Sequence, residues 1–145
     1  APPLHTVSTA LLVLSRGAHV LLLRCWDPRR RHRTYGLIGA ELDGSEPAIP
    51  CLARCALDEV GIVVVPDDVT LVHVLHRRAD VQRVDLFFAS RVWAGEPSIR
   101  APERCDDLRW ADIGQLPSDT AGHIRAGLDG VQRGHLFSPL GWTPT

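Results

Sequence analysis

Methionine and lysine are absent from this chain of 145 residues, and no apolar run of about 20 residues occurs in it. The missing run excludes a membrane-spanning helix. The missing methionine implies an initiator that was removed or lies outside the sequence. The missing lysine is a bias of composition and carries no functional reading. A strong charge of either sign is lacking too: at a net −1, the chain has no bulk attraction to nucleic acid or to a membrane surface. Four cysteines, Cys25, Cys51, Cys55 and Cys105, lack the spacing of a zinc site. Cys51 and Cys55 stand one helical turn apart, which would suit a redox pair or a soft metal. Reduced thiols of a cytoplasmic protein are the expectation for all four. No repeat and no interdomain linker interrupts the sequence, so residues 1–145 are expected to form one domain, long enough to bury a core.

What is present reads as alternating strands and helices. Residues 8–15, STALLVLS, lack a basic leader and meet a turn at Arg16-Gly17 before a second apolar run. They read as a hairpin strand and not as a signal peptide. Strands are expected over 5–15, 19–24, 71–76, 84–93 and 108–111, with a short extended piece at 35–38 and an apolar, β-branched piece at 62–65. Turns or loops are expected at 29–33, 66–68, 77–80 and 95–97. A helix is expected over 121–131, then an apolar tail over 137–142 packed on the body. Strands on either side of one helix, followed by a second helix, fit an α/β/α sandwich around a mixed β-sheet.

The segment 40–62, AELDGSEPAIPCLARCALDEVGI, is the most informative. Gly44 and Ser45 mark a turn, and Pro47 and Pro50 fit only the first turn of a helix, where backbone N–H groups lack partners. From 49 to 60, Ile49, Leu52, Ala53, Ala56, Leu57 and Val60 recur at helical spacing and fill one arc. Cys51, Arg54, Cys55, Asp58 and Glu59 fill the other, so Asp58 and Glu59 are expected beside Cys55 on the face away from the core. Gly61 suits a left-handed C-cap. Glu46 lies in the loop that enters the helix. Adjacent acids on a helix and a carbonyl from a glycine-containing loop are oxygen donors of the kind that hard divalent cations select. The same residues also suit a solvated acidic helix end with an Arg54–Asp58 ion pair.

This segment resembles the Nudix box, G-x5-E-x7-R-E-U-x-E-E-x-G-U with U aliphatic, without a gap. Ala40 takes the first Gly position, Glu46 the Glu and Arg54 the Arg. Cys55 takes the Glu after the Arg, Ala56 the aliphatic position, Asp58 and Glu59 the acid pair, and Gly61 and Ile62 the close. The chain from residue 5 to about 142 is similar to a bacterial Nudix domain. The resemblance implies the Nudix fold, an α/β fold with the sandwich described above. It implies hydrolysis of a nucleoside diphosphate linked to another moiety, with Mg2+ or Mn2+. Glu59 is the implied main metal ligand, Asp58 the second and the Gly39 carbonyl the third. Glu59, Asp58 and Glu103 form the implied catalytic set, and Glu46 with Arg54 braces the loop against the helix. Three box positions are altered. Asp58 stands for a Glu and is one methylene shorter. Ala40 tolerates positive φ poorly where Gly would not, and Cys55 is a poor ligand for magnesium where the family has a carboxylate. The implied enzyme is therefore weak or narrow.

Other side chains complete the reading. Arg29, Arg30, Arg31 and Arg33 could grip phosphate by forked hydrogen bonds or form a solvated loop; Arg29 and Arg31 are taken as substrate-binding candidates. Tyr35 or Trp110 could stack on a base or belong to the core. Asp106 and Asp107 compete with Glu103 as the loop acid. His5, His73 and His76 fall in strands and are expected to pack. The partner is a small nucleotide-type substrate, and a homodimer is one arrangement found in the family. The rival to the hydrolase is a Nudix-like module that binds a nucleotide or phosphorylated metabolite without cleaving it. A third reading uses Cys55 for different chemistry, against which stands the raised pKa expected of a thiol beside two acids.

Overall fold

Five consecutive apolar residues, Ala10, Leu11, Leu12, Val13 and Leu14, are all buried in the computed structural model, which describes residues 5–143. A strand with no polar face must be covered on both sides. This one is β1 (Thr6–Arg16), and it lies inside a mixed sheet. It pairs antiparallel with β4 (Ile38–Glu41) and parallel with β6 (Gln82–Ser90). β6 pairs antiparallel with β5 (Thr70–Arg78), and β5 pairs parallel with β8 (Phe137–Leu140). After the hairpin at Arg16 and His19, β2 (His19–Asp27) turns away to pair antiparallel with β3 (His32–Gly36) and β7 (Cys105–Asp112).

Helices α1 (Ala48–Val60) and α2 (Gly122–Arg133) take opposite faces of β1. Ala10, Leu12 and Leu14 pack with Leu52, Ala56 and Val60 of α1. Leu11 and Val13 pack with Ile124 and Leu128 of α2, above Phe87 and Leu75. The period-two alternation of one strand thus feeds two cores, and the α/β/α arrangement follows.

Helix α1 is entered as expected, with Pro47 at its N-cap and Pro50 in its first turn. Its faces are not. Cys51 and Cys55 are buried, whereas Leu57 is 52% exposed. The apolar stripe is rotated because the helix rests on both β1 and β4, and Cys51 and Cys55 join the core cluster that contains Ala10 and borders Ala40. Ala40, where positive φ was of concern, is an extended β4 residue paired with Ala10, and its φ is not positive. The position that requires glycine is Gly39: a Cβ there would stand 2.2 Å from the Ala10 carbonyl oxygen.

Other expected boundaries shift. The piece at 62–65 forms only a bridge between Val63 and Ala94, β6 ends at Ser90, and Arg77 and Arg78 extend β5 instead of turning. The tail is an edge strand, held by β5 and by the Trp142 indole donating to the His76 carbonyl at 2.9 Å, with Phe137 57% exposed. Cys25 and Cys105 face each other across β2 and β7 and form a disulfide, which corrects the expectation of four reduced thiols. Their separation of 80 residues hides the pairing from any spacing rule. Cys51 and Cys55 are free. The ends of the expected 1–145 domain, residues 1–4 and 144–145, lie outside the described residues.

Two consequences are measurable. A Cβ on Gly127 would stand 2.0 Å from the Phe87 ring, so Gly127→Ala overpacks the α2 interface although alanine favours helix. It should lower stability by about 2 kcal/mol and Tm by roughly 5 °C. Gly122→Ala, which meets only the end of Arg30 at 3.9 Å, should be neutral or stabilising. Reduction of the Cys25–Cys105 bond should lower Tm by roughly 10 °C through the freed chain entropy of the unfolded state. A Cys25→Ser/Cys105→Ser variant should show no response to reductant in the same melting experiment.

Candidate functional site

The loop that follows α1 seals the end of the helix that carries the acids. Gly61, at φ 74°, donates to the Leu57 carbonyl at 3.1 Å, and the Ile62 N–H reaches the Ala56 carbonyl at 3.4 Å. The remaining orphan carbonyls of the last turn accept from the loop: Val60 from the Ser98 N–H at 3.0 Å and Glu59 from the Arg100 N–H at 3.2 Å. The Arg100 guanidinium lies where a Gly61 side chain would be. At the other end of the segment, Arg54 donates to Glu46 and closes the loop onto the helix. Arg54 is too exposed for this pair to add much stability. Its effect is positional.

The two acids of α1 differ. Asp58 is exposed. Glu59 is half-buried, bonded by the Gly39 N–H, and has no ion-pair partner among the described residues. Burial pushes its carboxyl up to about 7; Arg104 and the Gly39 bond oppose the rise, and Asp58 adds to it. Because N–H and C=O of one strand residue point the same way, the Gly39 carbonyl is turned to the edge that Glu59 occupies. Cys55 sits in the α1 core, 7% exposed, its thiol pushed up to about 12 by burial and then by Glu59. It is neutral and inert at ordinary pH.

Glu59 lines a cleft of about 260 Å³, walled by Leu11, Leu23, Leu37 and Ile124 and fronted by Trp26, Asp27 and His123. Trp26 is 52% exposed and also lines an adjoining cleft, with Cys25, Arg33, Glu103 and Arg104. Glu103 therefore stands across the Cys25–Trp26 wall from Glu59, without an ion-pair partner among the described residues. Its rivals are engaged: Asp106 accepts from Arg24 at 2.9 Å, and Asp107 accepts the Tyr35 hydroxyl.

Both aromatic candidates are also occupied, the packed alternative of the two expected for them. Tyr35 is 2% exposed, with Arg24 and Arg109 over its ring. Trp110 stacks on Trp93 and lies under Arg16 at 4.4 Å. Arg29 lines a further cleft beyond His123, whereas Arg31, at φ 56° in the turn, is exposed and lines none of the clefts described. Trp26, His123 and Arg104 were missed because nothing in their spacing marks them. They meet Glu59 only through the pairing of β2 with β7 and the packing of α2.

No three His, Cys, Asp or Glu side chains converge as a ligand set among the described residues. Magnesium is ordinarily held by one or two carboxylates together with substrate phosphates. Glu59, Asp58 and the Gly39 carbonyl are hard oxygen donors of the kind such an ion takes. No helix among the described residues is long and apolar enough to cross a membrane.

Comparison with known proteins accords with this geometry. A family profile described as NUDIX domain matches residues 4–128. The fold is similar to that of a MutT NUDIX hydrolase from Burkholderia pseudomallei, with TM-score 0.76 and 23% identity over 86% of this chain and 97% of that one. It is also similar to the E. coli ORF135 protein, with TM-score 0.76 and 15% identity over 92% and 94%. A structure described as an ADP compounds hydrolase gives TM-score 0.64 and 15% identity over 88% of this chain and 71% of that one. No curated protein matches.

The state of Glu59 yields a test. Its folded pKa of about 7 lies above the ordinary 4.5, so the fold favours the neutral acid. That contribution is complete below about pH 4.5 and lost as pH rises through about 7. Glu59→Gln, fixed neutral, should therefore be more stable than the parent above pH 7, by up to on the order of 3 kcal/mol. The gap should close toward pH 4.5 in melts recorded across that range; a gap independent of pH would contradict the assignment.

Proposed function

The chain belongs to the NUDIX domain family, and from that premise we propose that it hydrolyses the diphosphate bond of a nucleoside diphosphate linked to another moiety. Membership supports pyrophosphate-bond hydrolysis in general. The observation that carries the finer reading is the placement of Glu59, a desolvated carboxylate without a protein cation bonded to it, on the wall of a cleft of about 260 Å³. Asp58 and the Gly39 carbonyl would join Glu59 in holding Mg2+ or Mn2+. When bound, the ion supplies neutralisation of the diphosphate charge, the main demand in this class of reaction.

The rest of the work falls to the protein's own groups. Glu59 is the acid at the reaction centre, held in place by the Gly39 N–H. The Glu46–Arg54 pair fixes the loop that enters its helix. Trp26 offers a large exposed aromatic face at the cleft for a base to stack on. Cys55 cannot act as base, so the proton from the attacking water goes to Glu59, Asp58 or Glu103. A small nucleotide-type ligand fits the cleft, and the unit that does this work is the single domain.

A second reading is favoured by Cys55 itself. A neutral thiol where the motif has a carboxylate leaves two acids to do the work of three, which suits a module that binds a nucleotide or phosphorylated metabolite without cleaving it.

The two readings separate in one assay. Phosphate or nucleotide release is measured from nucleoside triphosphates, ADP-ribose and sugar nucleotides, with magnesium and then manganese. The hydrolase reading expects metal-dependent turnover that Glu59→Gln lowers by at least 100-fold, roughly the loss of 3 kcal/mol of transition-state stabilisation. Cys55→Glu should raise turnover, and at 7% exposure the new carboxylate should also lower stability. Ligand binding without turnover, in the parent and in folded Cys55→Glu alike, would move the assignment to the binding module.

A further inference from the structure

Past Asp27 and His123, which line both, the Glu59 cleft opens into a second one of about 410 Å³. Its wall carries four guanidinium groups, Arg29, Arg30, Arg77 and Arg83, against two carboxylates, Asp27 and Glu41. Only Arg29 and Arg30 come from the basic run in the sequence. Arg77 and Arg83 come from β5 and β6, brought opposite that run by their cross-strand pairing.

Two of these arginines are almost stripped of water: the side chain of Arg83 is 6% exposed and that of Arg77 15%. Arg77 is held by an acid off the cleft wall, and Arg83 by one acid off the wall and by Glu41 on it. Arg77 Nε donates to the buried Asp85 at 2.6 Å, and no further bond from this guanidinium is seen among the described residues. Arg83 donates to Asp80 at 3.1 Å and to Glu41 at 3.3 Å, while Arg29 reaches the same Asp80 at 2.9 Å. The supporting acids orient the forks without using all their donors. Asp85 is not on the cleft wall; burial pushes its carboxyl up, and the bond from Arg77 opposes the rise. At the junction, burial and then Arg77 and Arg30 hold the His123 ring down at about 4. The field of the arginines exceeds that of Asp27 there. Buried ion pairs seldom offset their own desolvation, so stability alone does not account for four arginines arrayed round an open cleft.

We propose that this arginine cleft binds an anionic group, carboxylate or phosphate, on the arm of the substrate remote from the diphosphate. The substrate class is then a diphosphate that carries a second anion, with the diphosphate at Glu59 and the extra charge beyond His123. Planar guanidinium forks match either group by paired hydrogen bonds. The inference rests on the hydrolase reading of the Glu59 cleft for its substrate, and on the cleft's own geometry for its ligand.

The test has two arms. In the first, kcat/KM is compared within pairs that differ by one remote anion: NADPH against NADH, CoA against dephospho-CoA, UDP-glucuronate against UDP-glucose. The anionic member should be preferred at least tenfold in one or more pairs. Arg30→Gln and Arg77→Gln should bring that ratio close to one, and Arg133→Gln, on the outer face of α2, should leave it unchanged. In the second arm, inorganic phosphate is titrated calorimetrically into the protein in EDTA. The parent and Glu59→Gln should bind it, and the arginine variants should raise Kd at least fivefold. Because Arg77→Gln leaves Asp85 buried and unpaired, Arg29→Gln/Arg30→Gln, at exposed positions, carries both arms if that variant does not fold. The phosphate or glucuronate pairs respond according to which anion the cleft takes. Phosphate binding lost in the arginine variants with no diphosphate cleaved would uphold the cleft and refute the hydrolase. Ratios near one in the parent, or phosphate binding indifferent to the arginines, would overturn the proposal.

Discussion

The burial of β1 on both faces is the constraint from which the other placements follow. Its odd and even residues belong to different cores, so the strand cannot slip by one position without exchanging the partners of both helices. Held in that register, β1 brings the Ala10 carbonyl against Gly39, at a distance no side chain would allow. The Gly39 N–H of β4 then meets Glu59 on α1. The opposite face seats α2 on Phe87 and His73, and so sets His123 at the head of the cleft. The carboxylate and the histidine that bound the cleft are thus located by two sides of one strand.

Much of this was legible in the sequence, for reasons tied to particular residues. Pro47, Pro50 and Gly61 restrict the backbone locally, and they bounded α1 to within one residue. Glu46 and Arg54 sit eight positions apart across a turn, and the spacing of a motif reports such a pair well. The facing of α1 was misread because periodicity counts cysteine with the polar residues of its arc, whereas a neutral thiol packs as a small apolar group. Leu57 was counted as core for the mirror-image reason and lies outside it. The rest of the site depends on cross-strand register. Cys25 with Cys105, Asp107 with Tyr35, and Arg77 with Asp85 are each joined by pairings that a linear pattern does not encode.

Charge is distributed unequally between the two clefts. Near Glu59, one half-buried carboxylate is left without a bonded cation and its burial is costly to the fold. Beyond His123, arginines are gathered at close quarters, with Asp80 and Asp85 off the cleft wall and Asp27 and Glu41 on it. A small overall net charge conceals both features, since each is local. Active sites commonly hold groups that the fold alone would not favour, and the contrast gives the two ends of one groove opposite preferences.

The bond between Cys25 and Cys105 also has a topological effect. It closes a covalent ring that takes in β3, β4, α1, β5 and β6, the entire Nudix-like segment among them, while β1, α2 and β8 stay outside. A peptide bond cut in an exposed loop within that ring, such as the turn after Arg78, would leave two pieces still joined through sulfur. A cut in the segment between β7 and α2 would release the C-terminal piece, because nothing covalent spans it. The chain is therefore insured against scission over the part that carries its acids and exposed to it where α2 and His123 are attached.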